Sequence, residues 1–438
     1  MFSTFRNAWK IEDLRKKLLY TLLILIIFRL GVAMPVPFLS AAGLKNMIGG
    51  DSTNMFDFLN MMTGGAFSQA TLFALSVTPY INATIIMQLL TVAIPALERI
   101  AKEGEEGRRK INRISRYVGC GIAVALSVAY YFLLKSRGAL VYTEGFSGFF
   151  SGVVIVLAYT AGAMLIMWLG EQIDKKGIGN GISLLIFAGI VARFPDAIST
   201  LWALLKAGVG AGTAETAQPF NLVLVPIIIV MSLVIVWLIV ILTGAERRIP
   251  VQYAKRVVGR KQYGGQSTHI PLKVNMSGVM PIIFASALIS IPGTVLTFFP
   301  NLINNWFGVF LSWFGYQSPA YAILYVLLIL GFNYFYVAIQ YNPIEIANNL
   351  RKNNGAIPGI RPGKPTSDFI SKALGKITFI GAIFLALVAV TPILVSNIAH
   401  VNLHMGGTSL LIVVGVALDT SRSLESYMLM RHHKGFLE

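Results

Sequence analysis

Long apolar runs separated by polar stretches set the pattern of this chain. The runs are continuous rather than alternating, so they predict helices. At ~1.5 Å rise per residue, about 20 apolar residues cross ~30 Å of hydrocarbon. Spans are predicted at Leu18–Met34, Leu75–Ile94, Val118–Leu134, Gly152–Leu169, Ile182–Ala192, Leu222–Leu242, Met276–Phe298, Ala320–Gln340, Ile377–Asn397 and Gly406–Leu418. The fifth is short and is expected to continue past Arg193 towards Leu205. Only helices or closed barrels satisfy the backbone in lipid. The expected class is therefore an all-α integral membrane protein with ten transmembrane helices. Ten spans place both termini on one side. Divided at the polar stretch 208–220, they form two sets of five that enter from opposite sides, the condition for inverted repeats. The expected units are an N-terminal half (1–207), an external connector (208–220), a C-terminal half (221–420) and a tail (421–438).

Charge follows the same alternation. The chain is 55% hydrophobic and 13% charged, against about a quarter charged in soluble proteins. Lys and Arg gather at the N-terminus (Arg6 to Lys17), in 99–116, at Lys175 and Lys176, in 243–274 and in 351–372, while the other loops are poor in them. The positive-inside rule makes the basic set cytoplasmic. The net charge of +17 is read in two ways: topology with anionic lipid, or docking of a large acidic partner. The stretch Thr243–Val274 is the most basic, with Arg247, Arg248, Lys255, Arg256, Arg260, Lys261 and Lys273 against Glu246. It is longer than a turn needs to be. Cys120 is the only cysteine, so no intrachain disulfide forms. The N-terminus lacks the pattern of a cleaved signal. Phe2, Phe5 and Trp9 instead share a helical face, as in an interfacial helix.

Asp51–Ala74 breaks the pattern. It is too polar and glycine-rich for a span and too apolar for a free loop, which suits a re-entrant segment; an external surface helix is the other reading. The spans are nearly free of ionisable groups, Arg29 excepted, which argues against ion-coupled transport. Ser183 and Ser409 have no mid-membrane histidine partner, and no HExxH or GxxxxGK[ST] occurs. The chain reads as no enzyme and needs no cofactor or metal, so any ATP is hydrolysed by another protein. Gln88 and Asn275 in the spans read either as interhelical hydrogen bonds or as a polar patch at an interface that opens. Ile81, Ile85, Ile186, Ile190, Ile283 and Ile412, taken alone, read as lipid contacts.

Several motifs together resemble the SecY family, the channel-forming subunits of the bacterial Sec protein translocase. They are TPYINATIIMQLL (78–90), EGEEGRRKINRISRY (103–117), GIGNGISLLIFAGIV (177–191), YAKRVVGR with QSTHIPLKVNMSGVMP (253–281), IRPGKPT (360–366) and GGTSLLIVVGVALD (406–419). The resemblance implies a protein-conducting channel, with two halves around a central pore. Unfolded secretory chains would pass through it, and apolar segments would leave sideways into lipid. It assigns the six isoleucines to a pore ring, in place of lipid contact. It assigns the plug to about Asn60–Ala74, with Asn60, Met61, Met62, Thr63, Gly64, Gly65, Ala66, Phe67 and Ser68 at its centre. The lateral gate falls between the second and seventh spans, with Gln88, Asn275 and Val279. Docking of a motor or ribosome falls on loops 243–274 and 341–376, with Arg247, Arg248, Lys255, Arg256, Arg260 and Arg361. Implied partners are SecE and SecG, the SecA ATPase, the ribosome and signal-bearing precursors in a bacterial plasma membrane. Two other classes stay open on the residues: a secondary transporter, which lacks a charged midplane site here, and an insertion scaffold without a pore.

Overall fold

A computed structural model describes residues 9–40, 63–136, 138–208, 220–253, 256–258, 261–263, 267–298, 318–399 and 407–432. Its helices are α1 (Glu12–Ala33), α2 (Thr78–Ala93), α3 (Pro95–Lys102), α4 (Glu105–Ser136), α5 (Gly145–Lys176), α6 (Gly181–Val191), α7 (Phe194–Gly208), α8 (Phe220–Gly244), α9 (Met280–Phe298), α10 (Pro319–Gln340), α11 (Pro343–Lys352), α12 (Lys364–Ala399) and α13 (Gly407–His432). A helix lies over each of the ten predicted spans. Among the described residues, six helical spans are long and apolar enough to cross a membrane, or seven if the bent pair α2–α3 counts as one. The count of ten thus exceeds what length and apolarity alone support. α1 carries Lys16, Lys17 and Arg29, and α13 carries Asp419 and Arg422, which dilute their apolar runs.

Local sequence explains where the helices break. α2 and α3 meet at 105°. Pro95 opens α3, and the residue before a proline is driven out of the helical region; Ile94 is accordingly extended, at φ −107°, ψ 112°. The short fifth span continues as expected, α6 and α7 together making one apolar span of 26 residues (Gly181–Lys206). Asn180 caps α6 by accepting a hydrogen bond from the Ser183 amide at 3.1 Å, which satisfies one of the free amides at a helix start.

The basic loops gather at one end. Lys17 at the start of α1 lies 4.3 Å from the ring centroid of Tyr427 near the end of α13. The Ile178 amide, just past α5, donates to Thr21 Oγ1 of α1 at 3.2 Å. Arg422 donates to the Thr243 carbonyl at the end of α8, at 2.5 Å. At the opposite end the stretch after α1 pairs with the α4–α5 loop, through a bridge between Leu39 and Leu140 and a Val141 amide bond to the Phe38 carbonyl at 3.1 Å.

Not everything is helix. Within the stretch after α8, β1 (Glu246–Tyr253) pairs antiparallel with β4 (Ser267–Lys273). Between them, β2 (Arg256–Val258) and β3 (Lys261–Tyr263) form a separate antiparallel pair. β5 (Gly355–Ala356), from the next basic loop, adds to the other edge of β1. Ile249 and Val251 point inward and alternate with exposed neighbours, the period of a half-buried strand. With Leu272, Leu350, Ile370 and Leu374 they make a cluster joining the sheet to α11 and α12. The charge pattern showed a basic loop but no strands; within β1, Arg247 and Arg248 are both exposed.

Candidate functional site: a shared apolar cluster with a basic rim

The six isoleucines lie on four helices: Ile81 and Ile85 on α2, Ile186 and Ile190 on α6, Ile283 on α9 and Ile412 on α13. Each is at most 5% exposed, and all belong to one buried cluster. Spacing of i, i+4 puts each pair on one helix face. The Asn180 cap and the close approach of Gly181 to the Gly170 carbonyl seat α6 on α5, a Cβ at Gly181 lying only 2.0 Å from that oxygen. The side chains are branched, uncharged and without donors or acceptors. A ring of such groups excludes water and ions without reading sequence.

Of the nine central plug residues, Asn60, Met61 and Met62 lie outside the described residues. Thr63, Gly65, Ala66 and Phe67 are buried, and Gly64 and Ser68 half-buried. From Thr63 to Val77 the chain runs as successive turns rather than a helix, for example Ala70 N–H to the Phe67 carbonyl at 3.2 Å and Ala74 N–H to the Thr71 carbonyl at 2.9 Å. Gly64 (φ +66°) and Gly65 (φ +95°) need the left-handed freedom of glycine. A Cβ on Gly64 would come within 3.1 Å of the Gly189 backbone, so this turn rests on α6 beside Ile186 and Ile190. Arg29, the ionisable exception among the spans, is exposed on α1 with its guanidinium about as close to the same point, 3.0 Å. Sequence reasoning missed the residues that hold the segment: Tyr130, Tyr159 and Phe73.

α2 packs against α9, the pair expected to form the gate. Val279 is buried just before α9, against Gly415 of α13. Gln88 accepts a hydrogen bond from Tyr336 of α10 at 2.6 Å, so one reading of Gln88, interhelical bonding, holds and joins the two sets of helices. Asn275 Oδ1 is buried without a partner among the described residues. Beside it Ser277 Oγ donates to Asn333 Oδ1, and Asn333 Nδ2 donates to the Thr378 carbonyl at 3.0 Å.

A cavity of about 670 Å³ opens beside these residues, lined by Asn275, Ser277, Val279, Tyr336, Leu411 and Gly415. At its rim stand Arg108, Lys273, Asp419 and Arg422. Asp419 lies just beyond the apolar run of α13, where burial pushes its carboxyl above the usual carboxylate range and Arg422 and Lys273 pull it back. Above the rim, Arg247 and Arg248 project from β1 and are exposed; Arg248 pairs with Glu246 at 2.7 Å. Arg361 is exposed, and its carbonyl accepts from the Thr366 hydroxyl at 2.8 Å, fixing the turn into α12. The sheet brings the two expected docking loops together, with Gln252 in register with Ala356. Of the other docking residues, Arg256 begins β2, and Lys255 and Arg260 lie outside the described residues.

These features define a polytopic helical membrane protein with an apolar core shared by several of its helices and a basic rim at one end. The SecY family model matches residues 71–421. The translocase subunit SecY of Streptomyces coelicolor is 42% identical over the full length of both chains, and that of Bacillus licheniformis 43% identical, again end to end. A solved protein-conducting channel has the same fold, with a TM-score of 0.63 over 94% of this chain and 92% of that one at 20% identity. Sec61 in a canine ribosome–channel complex follows at 0.60 and 18%, with the same coverage. The chain belongs to the SecY family.

Proposed function

We propose that this chain is the pore of a bacterial plasma-membrane translocase, conducting unfolded secretory chains and releasing apolar segments into lipid between α2 and α9. The observation that carries this reading is that six isoleucines from four separate helices are buried together in one larger apolar cluster. A constriction of this kind can part around an extended chain and close without leaving a charged or hydrogen-bonding group to trap it. In this reading all ten predicted spans cross the membrane as two inverted halves, 1–207 and 221–420, joined by the connector 208–220, with both termini and the basic rim cytoplasmic. Thr63–Ser68, with the residues preceding it, seals the outer side. Parting of α2 from α9 breaks the Tyr336–Gln88 bond and exposes the buried Asn275 oxygen.

The protein supplies no chemistry of its own in this scheme; force comes from outside. Arg247, Arg248 and Arg361, with Lys255, Arg256 and Arg260, receive the SecA motor or the ribosome, since guanidinium groups suit carboxylates and RNA phosphates alike. SecE and SecG complete the complex, and anionic lipid surrounds the basic rim. Co-reconstitution with SecE, SecG and SecA in liposomes tests the proposal. ATP-dependent protection of a secretory precursor from protease is the expected result; its absence with intact protein overturns it.

A further inference from the structure

A second hollow, about 290 Å³, lies between α10 and α12. Val326 and Leu330 line it from α10, and Ile383, Ala386, Leu387 and Thr391 from α12. Ile383 and Leu387 are exposed and form its wall, while Ala386, 4% exposed, is its floor. The hydroxyl of Thr391 already donates to the Leu387 carbonyl of its own helix at 2.6 Å. The lining therefore offers no free polar group, and a water needs two or more to stay. One turn past Leu330, Tyr334 reaches across to α12 and donates to the Gly375 carbonyl at 3.4 Å. Tyr336, which holds Gln88 of α2, lies about 200° around α10 from Tyr334. The hollow is thus on a different face from the expected gate. Ile323 and Leu327 of α10 and Ile380 of α12 stand exposed around it, as side chains that meet lipid do.

The wall continues into charge. Lys372, Lys376, Ile380, Ile383 and Leu387 follow at three- and four-residue steps, one face of α12. Both lysines are exposed, and among the described residues no ion pair engages either. They stand at the end where the basic loops gather; the acid of the same face, Asp368, lies a further turn out. The apolar run of α12 begins at Ile377, which places Ala386 ~14 Å deeper at ~1.5 Å per residue. One leaflet is about half of ~30 Å of hydrocarbon. A chain hung from the level of the lysines therefore ends on the floor of the hollow. We propose that the hollow seats one acyl chain of an anionic phospholipid, with its phosphate held by Lys372 and Lys376. The space suits a chain and not a helix, which is ~10–12 Å across with its side chains. Lysine stems lie along apolar surface and lift their ammonium groups to the interface, where basic residues beside an intramembrane groove attract acidic headgroups. A seated lipid braces α10 against α12, alongside the Asn333 Nδ2 bond to the Thr378 carbonyl at 3.0 Å.

The site needs only that α10 and α12 cross the bilayer, and its readout is binding rather than export, so it stands or falls apart from the function proposed above. The complex with SecE and SecG is reconstituted in vesicles of equal phosphatidylglycerol and phosphatidylcholine, extracted in mild detergent and weighed by native mass spectrometry. The parent is expected to retain phosphatidylglycerol in preference to phosphatidylcholine. In Lys372→Gln/Lys376→Gln that retention falls about tenfold or more, for two lost phosphate contacts. Leu387→Trp lays a ring over the hollow and lowers retention alike, with melting at the parental temperature. Ile383→Trp, at the other end of the exposed wall, repeats the test should Leu387→Trp melt early. Leu157→Trp, on the exposed face of α5, keeps the lipid. Equal retention in every variant means annular lipid only and overturns the site. Loss from the lysine variant alone leaves the lipid on the basic rim and overturns the seating of its chain. Loss from the tryptophan variants alone overturns the headgroup assignment. Displacement by excess glycerol 3-phosphate, which has no chain, overturns the hollow as the holding element.

Discussion

In the function proposed above, the six isoleucines and the basic sheet work by opposite physics. The six carry side chains that interact with nothing in particular, and in that reading their use lies in lining one constriction. The sheet displays charges whose reach extends about 8 Å in physiological salt and which act wherever an acidic partner can approach them. The first depends on tertiary placement to within a methyl group; the second depends on sign and exposure. A change in the cluster should therefore alter what leaks through, while a change in the sheet should alter how often the channel is engaged.

The sharpest break in that comparison comes from the packing that places the cluster. Gly162→Val drives a side chain into the Leu72 carbonyl and is expected to cost about 3 kcal/mol or more. Thermal melting of the purified complex would show it, whereas Gly331→Ala, with nothing within 4 Å of its Cβ, should melt at or slightly above the parent. Next in size, Arg361→Glu should lower motor-driven export about tenfold or more while melting and idle leak stay unchanged, the scale of a lost charged anchor at an interface. Export at the parental rate would remove this arginine from docking. Arg248→Glu should act in the same direction but more weakly, because Arg248 is already partly neutralised by Glu246.

The cluster should answer the other way. Ile412→Asn puts a hydrogen-bonding group into the constriction, and raised ion conductance with normal motor binding is expected. The same change at Ile289, buried in the same cluster but outside the six, should destabilise without comparable leak; equal leak from both would dissolve the ring into general core. The smallest effect is expected at Tyr336→Phe, which deletes one interhelical bond, worth about 0.6 kcal/mol in membranes. It should let less apolar signal segments open the gate, read as a few-fold gain in their export.

Much of the architecture was legible early because a bilayer imposes a harsh rule. Apolar runs must be helical, and lysines and arginines must collect on one side, so helices appear over every predicted span and the basic loops meet at one end. The break at Pro95 and the cap at Asn180 are also local, set by a fixed ring and a short acceptor. Thr243–Val274 was legible as charge but not as a sheet. Its strands are short and interrupted, and its third strand, Gly355–Ala356, comes from a loop about 80 residues further on.

What the chain determined by itself was helix, membrane, sidedness of charge and the scarcity of ionisable groups at depth, all consequences of solvent transfer residue by residue. Only the tertiary structure decided that these six isoleucines are buried in one cluster with residues of other helices, that two loops share one sheet, and that Tyr130 and Tyr159 hold the carbonyls of Phe67 and Ala70. An isoleucine facing lipid and one facing a constriction have the same apolar environment. A buried tyrosine chooses its acceptor from whatever backbone the fold brings within about 3 Å. No local pattern encodes either choice, because both depend on helices far apart in sequence packing at one place.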